Sequence, residues 1–188
     1  MKYLLFLTSV LFVFLNSCKE PQPRKPINEN KRFEREYTID SDRTKKKLDL
    51  EYLAIDKYIL KDSTNTYINS TKGFKYCYLK KDSLNKPTPN YSDELLYNYN
   101  VTDIGNNIIY SKKQIGERTY FVDQESNIIE GLRQGLKLIK VGEEIRFIFP
   151  SQLAYGYRGD GLKIRPNIPL IYNVTLLNIS KSQTKNIK

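Results

Sequence analysis

The sequence contains no histidine and no tryptophan, and it has only two cysteines and one methionine among its 188 residues. Because histidine is absent, Ser-His-Asp triads, Cys-His proteases and His-ligated zinc or iron sites are excluded. Two cysteines cannot by themselves complete a zinc or iron-sulfur site. The aromatic content comes from 15 tyrosines and 8 phenylalanines. An apolar pocket would therefore be lined by rings and aliphatic side chains, in a chain whose length suits one domain with appendages.

The first 17 residues have the pattern of a secretory signal peptide, with Lys2 followed by a nearly unbroken apolar run over residues 3–15. The alternative, a membrane-spanning helix, needs about 20 apolar residues, more than this run contains. The position of Cys18 after Leu-x-Ser resembles the lipobox of bacterial lipoproteins. This resemblance implies that Cys18 is lipidated and becomes the new N-terminus.

If Cys18 carries lipid, Cys77 has no intramolecular disulfide partner. Cys77 lies in the alternating segment 73–79, GFKYCYL. That setting favours a small buried hydrophobic side chain over a catalytic thiol, which would also lack a histidine base.

The net charge of +10 is concentrated towards the ends of the chain. Residues 19–47 hold ten basic and six acidic side chains, and the last eight residues hold three lysines and no acid. The sequence has no helix-turn-helix or RNA-binding motif, and a secreted chain does not meet DNA in its normal compartment. We therefore predict no nucleic-acid partner and interpret the charge as a solvated or membrane-facing tether.

Residues 18–43 are predicted to form a lipidated flexible tether, because they are polar and begin with three closely spaced prolines. A helix is predicted over residues 44–62. Its apolar residues recur at steps of four, three and four, which places them on one face: Leu48, Tyr52, Ile55 and Ile59. We expect this helix to pack on the following domain, and dimerisation through it is the alternative.

Beyond a polar stretch, the pattern changes to short strands. The predicted strands cover 73–79, 95–101, 107–111, 119–122, 144–149 and 169–179, with a hairpin turn at Gly105-Asn106. A short amphipathic helix is predicted over 128–139, and Gly131 and Gly135 would let it lie close to a sheet. One helix against an antiparallel sheet is an α+β domain. Residues 151–167 are predicted to form a long loop without regular structure, and such loops in compact domains are usually functional.

Residues 128–179 resemble the C-terminal half of FKBP-type peptidyl-prolyl isomerases. The shared features are the short helix, a Lys-Val-Gly-Glu hairpin, a P-x-x-LAYG segment, a proline-containing loop and a hydrophobic last strand. Residues 99–111 resemble the segment of the family that runs from a tyrosine into a hairpin. The resemblance covers roughly residues 70–180, and it implies an antiparallel sheet wrapped on a short helix. With the lipobox and the N-terminal helix, the chain is most similar to FKBP-type lipoproteins associated with gliding motility.

The resemblance implies an apolar pocket for a proline ring. The residues at the pocket positions of the family are Tyr99, Ile109, Tyr120, Ile128, Ile129, Leu132, Tyr155, Ile164 and Tyr172. In the family, the amide that matches Ile129 and the hydroxyl that matches Tyr155 hold the carbonyls of the bound peptide. Tyr110 stands where the family has an aspartate that faces the twisted amide. Either the Tyr110 phenol replaces that hydrogen bond, or activity is weak.

Two further positions depart from the family pattern. Leu132 replaces a tryptophan at the pocket floor and Ile109 replaces a phenylalanine, and the softer floor implies lower affinity for macrolide inhibitors. Arg158 and Asp160 are expected to form only a solvated loop tip.

The implied activity is peptidyl-prolyl cis-trans isomerisation of proline-containing polypeptides. Because this reaction rotates a bond without breaking one, it needs no cofactor and no metal. A signal peptide and lipobox imply a lipid-anchored protein of the cell envelope, on the periplasmic side of the outer membrane, that assists the folding of envelope or motility proteins. The alternatives are a catalytically weak chaperone of the same fold and a structural lipoprotein of a motility or secretion apparatus.

Overall fold

The computed structural model describes residues 29–84, 86–124 and 127–181, with side chains from Asp42 onward. The predicted signal peptide at 1–17 and Cys18 lie outside the described residues. The chain divides into two compact units, residues 1–43 and 44–188. The described strands and the candidate site lie in the second unit.

Helix α1 spans Glu29–Lys61 and therefore begins well before the predicted start at Thr44. Residues 29–43, predicted to be flexible tether, are helical. They contain no proline or glycine and many glutamate, lysine and arginine residues, which are good helix formers. The prediction was wrong there because it depended on the spacing of apolar residues along one face, and this part of the helix is mostly polar.

Seven strands form one antiparallel sheet. They are β1 (Ile68–Asn69), β2 (Lys75–Lys80), β3 (Glu94–Asp103), β4 (Ile108–Tyr110), β5 (Arg118–Phe121), β6 (Glu144–Phe149) and β7 (Leu170–Ser180). Their order is β1-β2-β6-β7-β3-β4, and β5 also pairs with β3. The predicted α+β class is confirmed. Strand β1 was not predicted, since two residues carry no detectable alternation.

Two short helices complete the domain, α2 (Lys112–Ile115) and α3 (Glu130–Gly135), together with a 3-10 turn at Ser151–Leu153. Helix α2 starts with a capping box between Ser111 and Gln114. Helix α3 is shorter than the predicted 128–139. Ile129 has extended dihedral angles (φ −59°, ψ 148°), and beyond Gly135 the chain enters a tight turn in which the Leu138 amide donates to the Gly135 carbonyl at 3.0 Å.

The main core lies between α3 and one face of the sheet. Alternation along β6 sends Ile145, Phe147 and Phe149 into this core. Helix α3 approaches the sheet closely because it has glycine where it crosses β6. A Cβ atom on Gly131 would lie 2.5 Å from the Phe149 ring, and one on Gly135 would lie 3.0 Å from the Phe147 ring. The two glycines therefore set the depth of α3, as the sequence predicts.

The opposite face of the sheet carries the C-terminal part of helix α1. Ile55 is buried against Ile148 and Ile171, with Tyr52 and Ile59 at the margin of this cluster. The expectation that the helix packs on the following domain is confirmed. Cys77 is buried, and burial raises the pKa of its thiol, as expected for a structural side chain. None of the described helices combines the length and the apolar character needed to cross a membrane.

Candidate active site

A cavity of about 240 Å³ opens between helix α3, strands β3 and β7, and the long loop that follows β6. Six of the predicted pocket residues line it, joined by Asn127, which the sequence did not indicate: Tyr99, Ile128, Ile129, Leu132, Tyr155 and Tyr172. These residues come from four separate segments of the chain, and the fold brings them together around one space.

Aromatic stacking builds the wall of this cavity. Tyr99 on β3 and Tyr172 on β7 lie on adjacent strands, and their rings stack with centroids 5.3 Å apart. Phe149 on β6 packs behind Tyr172 at 5.4 Å. Because such pairs gain dispersion and electrostatic energy beyond simple burial, they hold the wall in a fixed shape. Leu132 on α3 is 1% exposed and forms the floor.

None of the described residues that line the cavity carries a charged side chain. Burial, with the nearby phenols of Tyr155 and Tyr99, raises the pKa of Tyr172 well above its ordinary value. Burial, with the Tyr155 phenol, also raises the pKa of Tyr99. Both phenols therefore stay neutral at physiological pH, and tyrosine, isoleucine and leucine supply all the described lining residues except Asn127.

A backbone amide stands at the start of α3, on the rim of the cavity. The N–H group of Ile129 has no hydrogen-bond acceptor among the described residues. The first amides of a helix have no partner within the helix, and Ile129 precedes the first turn with no side-chain cap. This N–H is thus available to a ligand that enters the cavity.

Tyr155 reaches the cavity from the loop after β6. The 3-10 turn at Ser151–Leu153 leads into it, and the amides of Ala154 and Gly156 both donate to the Ser151 carbonyl, at 3.0 and 2.8 Å. The Tyr155 phenol lies near that of Tyr172, and both side chains line the cavity. The loop is therefore folded around Tyr155, whereas the sequence suggested a stretch without regular structure.

Tyr110 does not line the cavity, because its hydroxyl donates a hydrogen bond to the carboxylate of Asp160. The same carboxylate accepts from the amides of Leu162 and Ile164, each at 2.8 Å. The ammonium of Lys163 lies 5.0 Å from the centre of the Tyr110 ring. Asp160 is therefore the organising acceptor of the loop, and the expectation that it belongs to a solvated tip was wrong.

The remaining predicted residues lie in the core beside the cavity. Tyr120 is fully buried, and its hydroxyl accepts from the Asp123 amide at 3.1 Å. Ile164 is 4% exposed, and Ile109 packs half-buried on the core. None of the three is among the residues that line the cavity. They belong to, or pack on, the same hydrophobic core as the cavity residues Leu132 and Tyr172.

Replacing Asp160 by asparagine should lower stability in a pH-dependent way. Partial burial alone would raise the pKa of the carboxyl, but the hydrogen bonds from Tyr110, Leu162 and Ile164 lower it below the ordinary value. A lowered pKa stabilises the fold above the unfolded-state value near ~3.9, and this contribution is lost as pH falls through the folded-state pKa.

We therefore expect Asp160→Asn to cost about 1 kcal/mol at pH 7 and progressively less below about pH 4. Urea denaturation at several pH values measures this difference. A cost that stays constant from pH 7 to pH 3 would show that the negative charge of Asp160 does not stabilise the loop.

A larger groove of about 740 Å³ lies on the opposite side of the sheet, beside the end of α1. Arg146 in this groove pairs with Asp62 at 3.1 Å and donates to Asn173 at 3.0 Å. The Asp62 carboxylate also accepts from Asn65 and Tyr67. Since these charges are satisfied internally, the smaller aromatic cavity with its available amide is the better candidate for a reaction site.

Comparison with known proteins agrees with the fold. Residues 85–177 match the family model described as FKBP-type peptidyl-prolyl cis-trans isomerase. A relative from Neisseria meningitidis, named probable FKBP-type peptidyl-prolyl cis-trans isomerase FkpA, is 31% identical over 128 residues, which are 68% of this chain and 44% of that protein. Outer membrane protein MIP of Legionella longbeachae is 32% identical over 94 residues, 50% of this chain and 40% of that protein.

The chain spans less than half the length of these curated relatives. Among solved structures, FkpA from Escherichia coli has a TM-score of 0.59 at 23% identity, covering 95% of this chain and 82% of that one. A peptidyl-prolyl cis-trans isomerase from Pseudomonas syringae has a TM-score of 0.58 at 21% identity, covering 73% and 96%. These two likenesses show the fold. The family match and the 31% identical relative place the domain containing residues 85–177 in the FKBP-type peptidyl-prolyl cis-trans isomerase family.

Proposed function

We propose that this protein catalyses cis-trans isomerisation of Xaa-Pro bonds in polypeptides, in the cavity between α3 and the loop after β6. The observation that carries the proposal is the tyrosine-lined cavity, with the Ile129 amide, unpaired among the described residues, at its rim. An Xaa-Pro bond exchanges in tens to hundreds of seconds without a catalyst. The barrier of about 18–20 kcal/mol arises from the loss of amide resonance on rotation.

The cavity can lower this barrier without acid, base or nucleophile. The planar amide owes part of its polarity to resonance, so a dry apolar space disfavours it relative to the twisted amide. The Tyr99, Tyr172 and Leu132 side chains supply that space around the proline ring. The Ile129 amide would then hold one peptide carbonyl and fix the chain on one side of the rotating bond.

The Tyr155 hydroxyl is proposed to hold a second peptide carbonyl. Tyr155 lines the cavity, and a phenol hydroxyl can donate a hydrogen bond to the carbonyl of a bound peptide. Each factor of ten in rate requires about 1.4 kcal/mol of preference for the twisted state. Two hydrogen bonds directed at the peptide carbonyls, together with the exclusion of water from the amide, would supply several factors of ten in rate.

Replacing Tyr155 by phenylalanine tests this function. We expect kcat/KM in a protease-coupled Xaa-Pro peptide assay to fall about three- to tenfold, since a neutral hydrogen bond contributes about 0.5–1.5 kcal/mol. Tyr157 on the same loop is 71% exposed, and Tyr157→Phe is the matched control that should keep full activity. An inactive wild-type chain, or equal activity in all three proteins, would remove the assignment.

A weaker isomerase that acts mainly by holding clients is favoured by one observation. Tyr110, which replaces the family's aspartate, is engaged with Asp160 and does not line the cavity. In that case, the chain would suppress aggregation of an unfolded client while its peptide turnover is low. Light scattering of a refolding client beside the peptide assay distinguishes the two functions.

We also propose that Cys18 is lipidated and anchors the protein in the cell envelope, where its clients would be envelope or motility proteins. The lipobox-like position of Cys18 supports the anchor, and one relative is named an outer membrane protein. The association with gliding motility is supported by the sequence resemblance alone. Incorporation of a labelled fatty acid into the full chain, absent from one with Cys18 replaced, tests the anchor.

A further inference from the structure

The loop that carries Tyr155 is fastened to helix α1 at its first residue. The carboxylate of Glu51 on α1 accepts hydrogen bonds from both donors of Ser151, the backbone amide and the hydroxyl, the latter at 2.8 Å. One residue further along, the Gln152 side chain donates to the Tyr52 hydroxyl at 3.2 Å. Two successive residues of α1 thus bind two successive residues of the loop.

Ser151 is the point around which the loop folds. Its carbonyl accepts from the amides of Ala154 and Gly156, the two neighbours of Tyr155. Ser151 is only 7% exposed, and the amide of the first residue of a helical turn has no partner within the turn. An acceptor from outside the loop is therefore required, and a carboxylate makes a stronger bond there than a neutral group.

Helix α1 can keep the Glu51 carboxylate in a fixed position because the helix itself is packed on the sheet. Ile55, one turn beyond Glu51, is 1% exposed against Ile148 and Ile171 on the sheet. Asp56 on the same helix also pairs with Lys75 of β2 at 2.7 Å, but this solvent-accessible ion pair adds little to the packing that holds the helix. A carboxylate mounted on such a rigid element places its partners more precisely than one on a mobile loop.

We infer that Glu51 is a positioning residue of the isomerase site. From helix α1, its carboxylate fixes the position of the 3-10 turn at Ser151, and this turn fixes the position of the Tyr155 hydroxyl. The inference rests on the proposed function for its effect on catalysis. Its structural part, the fastening of the loop, stands independently. In this inference, helix α1 helps to fix the geometry of the isomerase site and also connects the domain to the N-terminal residues.

The test uses the full chain and three variants on α1. Glu51→Ala should lower kcat/KM for an Xaa-Pro peptide about fivefold, since small displacements of a positioned group have large effects on rate. Glu51→Gln keeps an acceptor oxygen and should recover part of this loss. Asp56→Ala removes an exposed ion pair between the same helix and the sheet, and it should leave kcat/KM within about twofold of wild type.

Hydrogen exchange at the Ala154 and Gly156 amides gives a readout that does not depend on activity. We expect both amides to exchange faster in Glu51→Ala and at the wild-type rate in Asp56→Ala. If the wild type proves inactive but these amides lose protection, the proposed function fails while the fastening stands. Unchanged exchange in Glu51→Ala, or an equal loss of activity in Glu51→Ala and Asp56→Ala, would overturn the inference.

Discussion

Replacing Leu132 by alanine is expected to lower stability by about 2–4 kcal/mol, the cost of truncating a buried leucine, and to raise KM for Xaa-Pro peptides severalfold. Leu132 is 1% exposed, and it lies in the main core as well as on the floor of the cavity. Its loss removes apolar contact from the proline ring in the ground state and in the twisted state alike. The effect should therefore fall on KM rather than on kcat.

Leu136→Ala is the matched control for this prediction. Leu136 lies one turn further along the same face of the chain, is fully buried, and does not line the cavity. We expect it to cost at least as much stability and to leave KM unchanged. Urea denaturation and peptide kinetics on both variants make the comparison. Equal KM values in the two would show that Leu132 is a core residue without a role in binding.

Residues with strong local patterns could be predicted from the sequence. The alternation of apolar residues in 144–149 gives β6 at its observed bounds, and the Gly105-Asn106 pair forms the predicted turn, in which Asn106 has a φ of 65°. The spacing of Tyr52, Ile55 and Ile59 identified the face of α1 that contacts the sheet. In each case, the information lies within a few neighbouring residues.

The parts that were missed depend on contacts between distant segments. Glu51 and Ser151 are 100 residues apart, and Tyr110 and Asp160 are 50 apart. An acidic residue on a helix face and another in a polar loop have many solvated alternatives, so neither sequence pattern identifies a partner. The six cavity residues were found because the resemblance supplied their positions, and Asn127 carried no comparable sequence signal.

The departures from the family pattern have different consequences for the site. Tyr110 replaces a carboxylate at the cavity by a phenol that binds Asp160 and stabilises the loop. Under the proposed function, the Tyr155 hydroxyl and the Ile129 amide are the two groups expected to bind substrate carbonyls. Since the backbone amide cannot be changed by ordinary side-chain substitution, its contribution must be measured by removing the N–H itself.

Replacing Ile129 by proline should produce the largest loss of activity, about thirtyfold in kcat/KM. Proline lacks the N–H, and its fixed φ near −65° matches the φ of −59° at this position. The backbone conformation can therefore be kept while the donor is lost. Without the N–H donor, a peptide carbonyl that enters the cavity loses its hydrogen bonds to water and gains none, which costs about 1–3 kcal/mol. This cost is larger than the effect expected from removing the Tyr155 hydroxyl.

Ile129→Ala separates the amide from the side chain. Alanine keeps the N–H and shortens a half-buried side chain. We expect a loss of about fourfold, which corresponds to the contact of about one methylene with the substrate at roughly 0.8 kcal/mol. Peptide kinetics on both variants, with denaturation curves to confirm that each is folded, give the comparison. If alanine reduces activity as much as proline does, the Ile129 amide does not bind the substrate carbonyl, and the side chain accounts for the whole effect.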